Sequence, residues 1–292
     1  MLKKIIEFLK RLFASQPSIK TDETVKEESL PEITIIKEEI MKYKKKDGKI
    51  IFDVSEGLPN YSQRNNEFKW AHPKNPKLTM DGLSMCNVTS MVMALHYIGF
   101  KFPNGKFTQP EDNLCEFIFT SKEVDDYYKK VMPAMWEQFN KGDTNAYCPN
   151  LIHAVLAYAT NLWMGTSCVT FKDAALITDI IKEIVEFNRP VVMSGTFPYK
   201  YANGNMGTIG HINVLVGCIF NENDENFINQ PSVKPETFIV DDPYGNWKQN
   251  FAANSSGNDT LFSYAEFIKY YKTLNDTQRK FAHIFKNAAA LI

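Results

Sequence analysis

Three residues of this chain, Cys86, His211 and Asp242, are of types and in an order that could cleave an amide bond through a thiol. A cysteine nucleophile needs a base to take its proton, and the base needs a partner that fixes its tautomer. Cys86 precedes a run in which Val88, Met91, Val92, Leu95 and Ile98 recur at helical spacing, so one stripe can face a core while Cys86 caps the start. There the thiol meets backbone N–H groups without intrahelical partners and the positive end of the helix dipole. Both favour the thiolate, the nucleophilic form. A cysteine alone is as readily a buried structural residue, so its partners decide.

His211 follows Gly210 and opens residues 211–220, a β-branched run suited to a buried strand. Residues 237–240 form a second short apolar run, ending at the turn signal Asp241-Asp242-Pro243-Tyr244-Gly245-Asn246. If the polar stretch from Asn221 to Lys234 joins these strands as a hairpin, the start of one lies beside the end of the other. His211 and an aspartate then become neighbours. Asp241 competes with Asp242, because consecutive strand residues point to opposite faces and only one can reach the ring. Helices are expected at 86–98, 123–140, 150–160 and 173–187, and a strand at 190–194. Ser263 with Glu266 matches a capping box opening a helix through Tyr271, and residues 280–285 read as a closing strand. Helices first and antiparallel strands afterwards predict an α+β domain.

A cysteine from a helix start with histidine and aspartate from a sheet is the arrangement of papain-like hydrolases. The runs Cys-x-x-Thr-Ser-x-x-Met-x-Leu-x-Tyr-x-Gly from Cys86, Gly-His-x-x-Val-x-Val-Gly from Gly210 and Val-x-Asp-Pro from Val240 resemble the double-glycine-leader (bacteriocin-processing) peptidase-like family of papain-fold cysteine peptidases. Tyr61-Ser62-Gln63-Arg64-Asn65 is similar to that family's glutamine motif, Asn188-Arg189-Pro190-Val191-Val192 to its strand entry, and Ser263-Tyr264-Ala265-Glu266-Phe267 to its late helix. The resemblance implies a papain-like α+β fold, Cys86 as nucleophile, His211 as base, Asp242 rather than Asp241 as its orienter, and Gln63 as an oxyanion donor. Two departures stand out: Asn87-Val88 replaces the family's usual Gly-Pro after the cysteine, and extra residues, including 70–76, separate Gln63 from Cys86. That insertion could line the substrate cleft or cover it. Trp70, Asn87 and Trp247 are candidate substrate contacts, with core packing as the alternative for the two tryptophans. His72 is a further candidate contact, while His96 and His153 read as structural histidines within helices.

The 292 residues, 44% hydrophobic and 23% charged, suit a soluble globular protein with a sizeable core. A net charge of −1 leaves no global basic field for nucleic acid. Five cysteines, an odd number without C-x-x-C spacing, indicate neither a disulfide framework nor zinc, and no cofactor is implied. A reducing compartment is the simplest reading. Residues 1–15 carry an amphipathic stripe with a cationic opposite face, suited to a membrane surface, a partner protein or packing on the chain's own domain. Their charges interrupt the apolar stretch too early for a signal peptide, and no run of about 20 apolar residues spans a membrane. Residues 16–48 read as a charged linker with at most a short strand at 33–36. The lysine cluster at its end suits phosphate, lipid or simple solvation. Residues 49–292 are then the peptidase domain. The expected substrate is a peptide or peptidoglycan, in a chain of bacterial or phage character that is cytoplasmic or virion-associated. The competing readings are a non-catalytic binding or virion module on the same scaffold and an acyl transferase.

Overall fold

Long β-branched runs and a nearly all-apolar helix dominate this sequence, and they form the centre of the domain. The computed structural model describes residues 43–58, 60–222, 234–271 and 279–286, all within one unit spanning residues 37–292. The helix expected over 1–15, the strand at 33–36 and most of the loop after Asn221 lie outside the described residues. In chain order the elements are β1 (Lys44–Lys46), β2 (Lys49–Asp53), β3 (Trp70–His72), β4 (Asn75–Met80), α1 (Cys86–Tyr97), α2 (Pro110–Thr120), α3 (Lys122–Val131), α4 (Pro133–Lys141) and α5 (His153–Met164). Then follow β5 (Val169–Leu176), α6 (Ile177–Val185), β6 (Val191–Lys200), β7 (Met206–Asn221), β8 (Thr237–Asp241), β9 (Thr260–Ser263), α7 (Tyr264–Tyr270) and β10 (Arg279–Phe285). Among the described residues no helix is long and apolar enough to cross a membrane.

The large sheet runs β1-β2-β7-β6-β10-β5, with β8 also on β7 and β9 on β8, and every pairing is antiparallel. β7 is its hub. β6 pairs with it from Met206 to Leu215, and β8 and β2 take the remainder. Alternate β7 residues enter two separate cores. Ile212, Val214 and Val216 pack with α1 and the other early helices; Leu215 packs with Phe197, Val240, Phe262 and the apolar side of α6. Apolar cover on both faces explains why 211–220 reads as an unbroken hydrophobic run. The mixed helix-and-antiparallel-sheet architecture fits the α+β, papain-like class expected.

Several boundaries differ from expectation. Cys86 is the first residue of α1 rather than its cap, which is Met85. The helix is buried on nearly every side rather than along one stripe, as a central core helix must be. The helix expected over 123–140 is two helices, because Pro133 lacks an N–H and restricts Met132 before it. The segment 169–176 is a strand, and only 177–185 is helical. Its pairing with β10, Leu176 against Arg279 and Phe171 against His283, overrides the local helical pattern. α2 was not foreseen, although Pro110 followed by Glu111 and Asp112 is a helix-start signal. Lys44–Lys46, expected in the linker, form an edge strand, where Lys44 pairs with Glu56 and Lys45 with Glu222 at 3.1 Å. The insertion after Gln63 is the β3–β4 hairpin, with Trp70 stacked on Phe139 of α4 at 5.6 Å.

Candidate active site

Register brings the first two residues of the site together. Val214 of β7 pairs with Asp241 of β8 after an irregularity at Leu215/Gly217. The next residue, Asp242, therefore falls on the alternate face, the one shared by His211 and Asn213. There His211 Nε2 meets Asp242 Oδ1 at 2.7 Å. Asp241 turns the other way and accepts from the Tyr97 hydroxyl at 2.7 Å and the Asp259 N–H at 2.9 Å; burial pushes its carboxyl up to about 6. Strand alternation thus separates two adjacent aspartates into different tasks.

The third residue arrives from the opposite layer. Ser90, one turn along α1, donates to the Ile212 carbonyl at 3.1 Å and ties the start of the helix to β7 beside His211. The Cys86 sulfur is near enough to the His211 ring to raise its proton affinity, and with Nε2 given to Asp242 it is Nδ1 that remains for the sulfur. Of the five cysteines, four are buried and Cys86 is partly exposed. His211 and Asp242 are 5% and 3% exposed, so the pair stays dry beside a residue that solvent partly reaches. Burial of the ring opposes its charge, but the Asp242 carboxylate and the Cys86 sulfur outweigh burial and raise its proton affinity above the usual histidine range. Phe251, at 5.2 Å centroid to centroid, and Phe197, at 6.1 Å, stand edge-on to the ring. Such apolar walls strengthen each polar contact inside.

Gln63 opens a 3-10 turn, Gln63–Asn65, capped by Ser62. Its N–H donates to the Pro243 carbonyl at 2.9 Å and its Nε2 to the Gly82 carbonyl at 3.2 Å. One buried residue, through its backbone N–H and its side chain, thereby links the turn after Asp242 to the turn that leads into Cys86. Only glycine fits at Gly82, where a Cβ would stand 2.8 Å from the Gln63 carbonyl oxygen.

Sequence reasoning missed several supporting residues. Arg64 lies over the Tyr244 ring at 3.8 Å and donates to the carbonyls of Tyr244 at 3.1 Å and Phe251 at 2.6 Å, clipping the loop after Asp242 to the glutamine turn. Phe251 itself adopts a left-handed φ of 53°, a strain of roughly 1–3 kcal/mol that such contacts must offset. Gly257 accepts the Asp242 N–H at 2.9 Å, and a Cβ there would sit 1.9 Å from the Asp242 carbonyl oxygen. Gly257→Ala should therefore displace Asp242 and cost about 1–3 kcal/mol, read by denaturant titration. An unchanged midpoint would mean that the loop yields without strain.

The remaining expected contacts are dispersed. Asn87 is fully buried and donates to the Asn150 carbonyl at 2.6 Å, so its side chain faces the core rather than a cleft. Trp247 stacks on Phe262 at 5.5 Å and meets Tyr270 edge-on at 4.8 Å, as part of the sheet-side core. Trp70 is half-buried and, with Lys69, Ala71, Thr79, Met80 and Asp81, lines an open groove of about 450 Å³. His72 is buried and accepts the Lys74 N–H at 3.2 Å. His96 pairs with the Tyr61 hydroxyl at 2.8 Å, and His153 opens α5 and bonds His283 at 3.0 Å. No curated protein and no solved structure matches the chain. Residues 56–278, a span that begins before Gln63 and runs past α7, match the model of the Peptidase_C39 like family, and the chain therefore belongs to that family of cysteine peptidases.

Proposed function

We propose that the protein hydrolyses peptide amide bonds through an acyl-enzyme, with Cys86 as nucleophile. The observation that carries this reading is the buried His211–Asp242 hydrogen bond with the partly exposed Cys86 beside the ring. Cys86 Sγ attacks the carbonyl carbon as a thiolate whose proton rests on His211. That proton passes to the leaving amine when the C–N bond breaks, leaving a thioester. His211 then deprotonates a water, whose attack releases the acid and restores the thiol. Asp242 holds the ring in the tautomer with Nε2–H and stabilises the imidazolium. The Gln63 amide and the Cys86 N–H stabilise the developing oxyanion; losing one such donor costs about 100- to 1,000-fold in rate. Trp70 forms a wall of the groove through which an extended substrate approaches, since Asp81, which lines the same groove, is next in sequence to the turn before Cys86.

The family and the composition support a peptide substrate, either double-glycine leaders or the cross-bridges and stem peptides of peptidoglycan, in a protein of bacterial or phage origin. Residues 1–42 would then tether the peptidase to an envelope or particle. The protein is incubated with purified sacculi and, separately, with a double-glycine leader peptide, and new free amines are followed by mass spectrometry. Release by the wild type and none by Cys86→Ala is expected in one of the two. No release from either substrate, or equal release by both proteins, would sink the reading. Incorporation of an added amine into product would point to acyl transfer instead.

A further inference from the structure

The hydrogen-bond series does not stop at Asp242. Asn213 lies two residues after His211 on β7, hence on the same face, and is fully buried. Its Nδ2 donates to Asp242 Oδ2 at 3.1 Å, and its Oδ1 accepts from the Tyr271 hydroxyl at 2.7 Å. Chemistry fixes the direction of these bonds. An ionised carboxylate only accepts, so the amide must turn its NH₂ toward Asp242 and its oxygen toward Tyr271, whose hydroxyl donates. Tyr271 follows α7, with its ring packed against Phe267 at 4.9 Å and Phe197 at 5.3 Å. Burial, and then the Asp242 charge, hold this phenol far above its ordinary range, so it keeps the proton that it donates.

The two oxygens of Asp242 are held from different sides. Oδ1 receives His211 and the Tyr244 N–H at 2.8 Å; Oδ2 receives Asn213. Rotation of a carboxylate about its Cβ–Cγ bond moves both oxygens, so bonds at both resist it more than bonds at one. We propose that Asn213 and Tyr271 are positioning residues that lock the Asp242 carboxylate and so sustain the thiolate–imidazolium pair of Cys86 and His211. This rests on the peptidase reading above. The ionisable groups around Asp242 are His211 from β7, Tyr271 beyond α7 and, lining the hollow beside it, Tyr61, Arg64 and Tyr244. Cys86 lies on the far side of His211. Replacing Asn213 removes none of these charges, so a change in the pair reports carboxylate orientation.

The full chain is treated with iodoacetamide across a range of pH, and alkylation of Cys86 is read by mass spectrometry beside a thermal melt. Wild type should react well below about pH 8. In Asn213→Leu the onset should move up by about one pH unit, a tenfold slower reaction on the acid side. Tyr271→Phe, which keeps Asn213 but lets its amide turn, should move the onset in the same direction by less. Melts that fall while both onsets stay at the wild-type value would overturn the proposal, since a purely structural role moves only the melt. If Asn213→Leu fails to fold, an unmoved onset in folded Tyr271→Phe has the same force. A wild type that reacts only near pH 8 and above removes the peptidase reading itself, and the positioning role with it. That failure is visible before any variant is made.

Discussion

Cys86→Ala should abolish peptide hydrolysis, by about 10⁴- to 10⁶-fold in kcat, with a melting temperature close to that of the wild type. Alanine is well suited to the first turn of a helix, and the lost sulfur is partly exposed rather than part of a sealed core. No other thiol can substitute. Cys115, Cys148, Cys168 and Cys218 are all buried, and burial pushes the thiols of Cys148 and Cys168 up to about 11 and those of Cys115 and Cys218 up as well. They therefore stay protonated at neutral pH and out of reach of substrate. The same contrast predicts that brief alkylation of the folded wild type modifies one cysteine, and that the modified protein is inactive. Turnover is measured on whichever substrate the free-amine assay identifies, and stability by calorimetry. Residual activity above about one per cent of wild type would point to a nucleophile other than Cys86.

The parts of this fold that were legible in the sequence are those whose information is local. Ser263 and Glu266 form the capping box in both directions, because both bonds close within one turn. The long apolar run after Gly210 became the hub strand; the alternation of strand residues allowed only one of Asp241 and Asp242 to reach His211, and the family resemblance named Asp242. Pro110 and Pro133 were equally local signals that expectation did not use. The illegible parts depend on partners distant in the chain. β5 is a strand because residues 279–285 lie beside it, and nothing within 169–176 announces that. Asn87, next to the nucleophile, looked available to substrate until the Asn150 carbonyl, 63 positions along, claimed its amide. Asn213 read as one polar residue in an apolar strand; only the fold brings Tyr271, 58 positions later, to its other side. The groups proposed to do the chemistry were thus open to inspection, whereas those that hold them are products of topology.

Asp242→Ala should lower kcat by about 10³- to 10⁴-fold and move the alkaline limb of kcat/KM toward acid by about one pH unit or more. The Asp242 carboxylate is the strongest of the influences that raise the proton affinity of His211 against the larger opposing pull of burial. Without it, only the Cys86 sulfur offsets burial. The imidazolium that must hand a proton to the leaving amine then survives only at lower pH, so the rate falls away sooner as pH rises. The same sign governs stability. In the wild type the folded histidine holds its proton more tightly than the unfolded one. Its contribution is therefore fully present below the unfolded value of about 6.5 and lost as pH rises through the folded one. In Asp242→Ala that contribution shrinks, because the buried imidazolium has lost its carboxylate partner. Breaking such a buried pair costs about 3–5 kcal/mol. Asp242→Asn separates charge from geometry. A carboxamide can keep an oxygen on His211 Nε2 and the Tyr244 N–H, but its NH₂ then faces the Asn213 NH₂ and forces that amide to turn toward Tyr271. The limb should move toward acid as in the alanine variant, with a smaller loss in kcat because the ring stays oriented. Wild-type kcat and an unmoved alkaline limb in Asp242→Ala would remove Asp242 from the mechanism and leave Cys86 and His211 as a dyad.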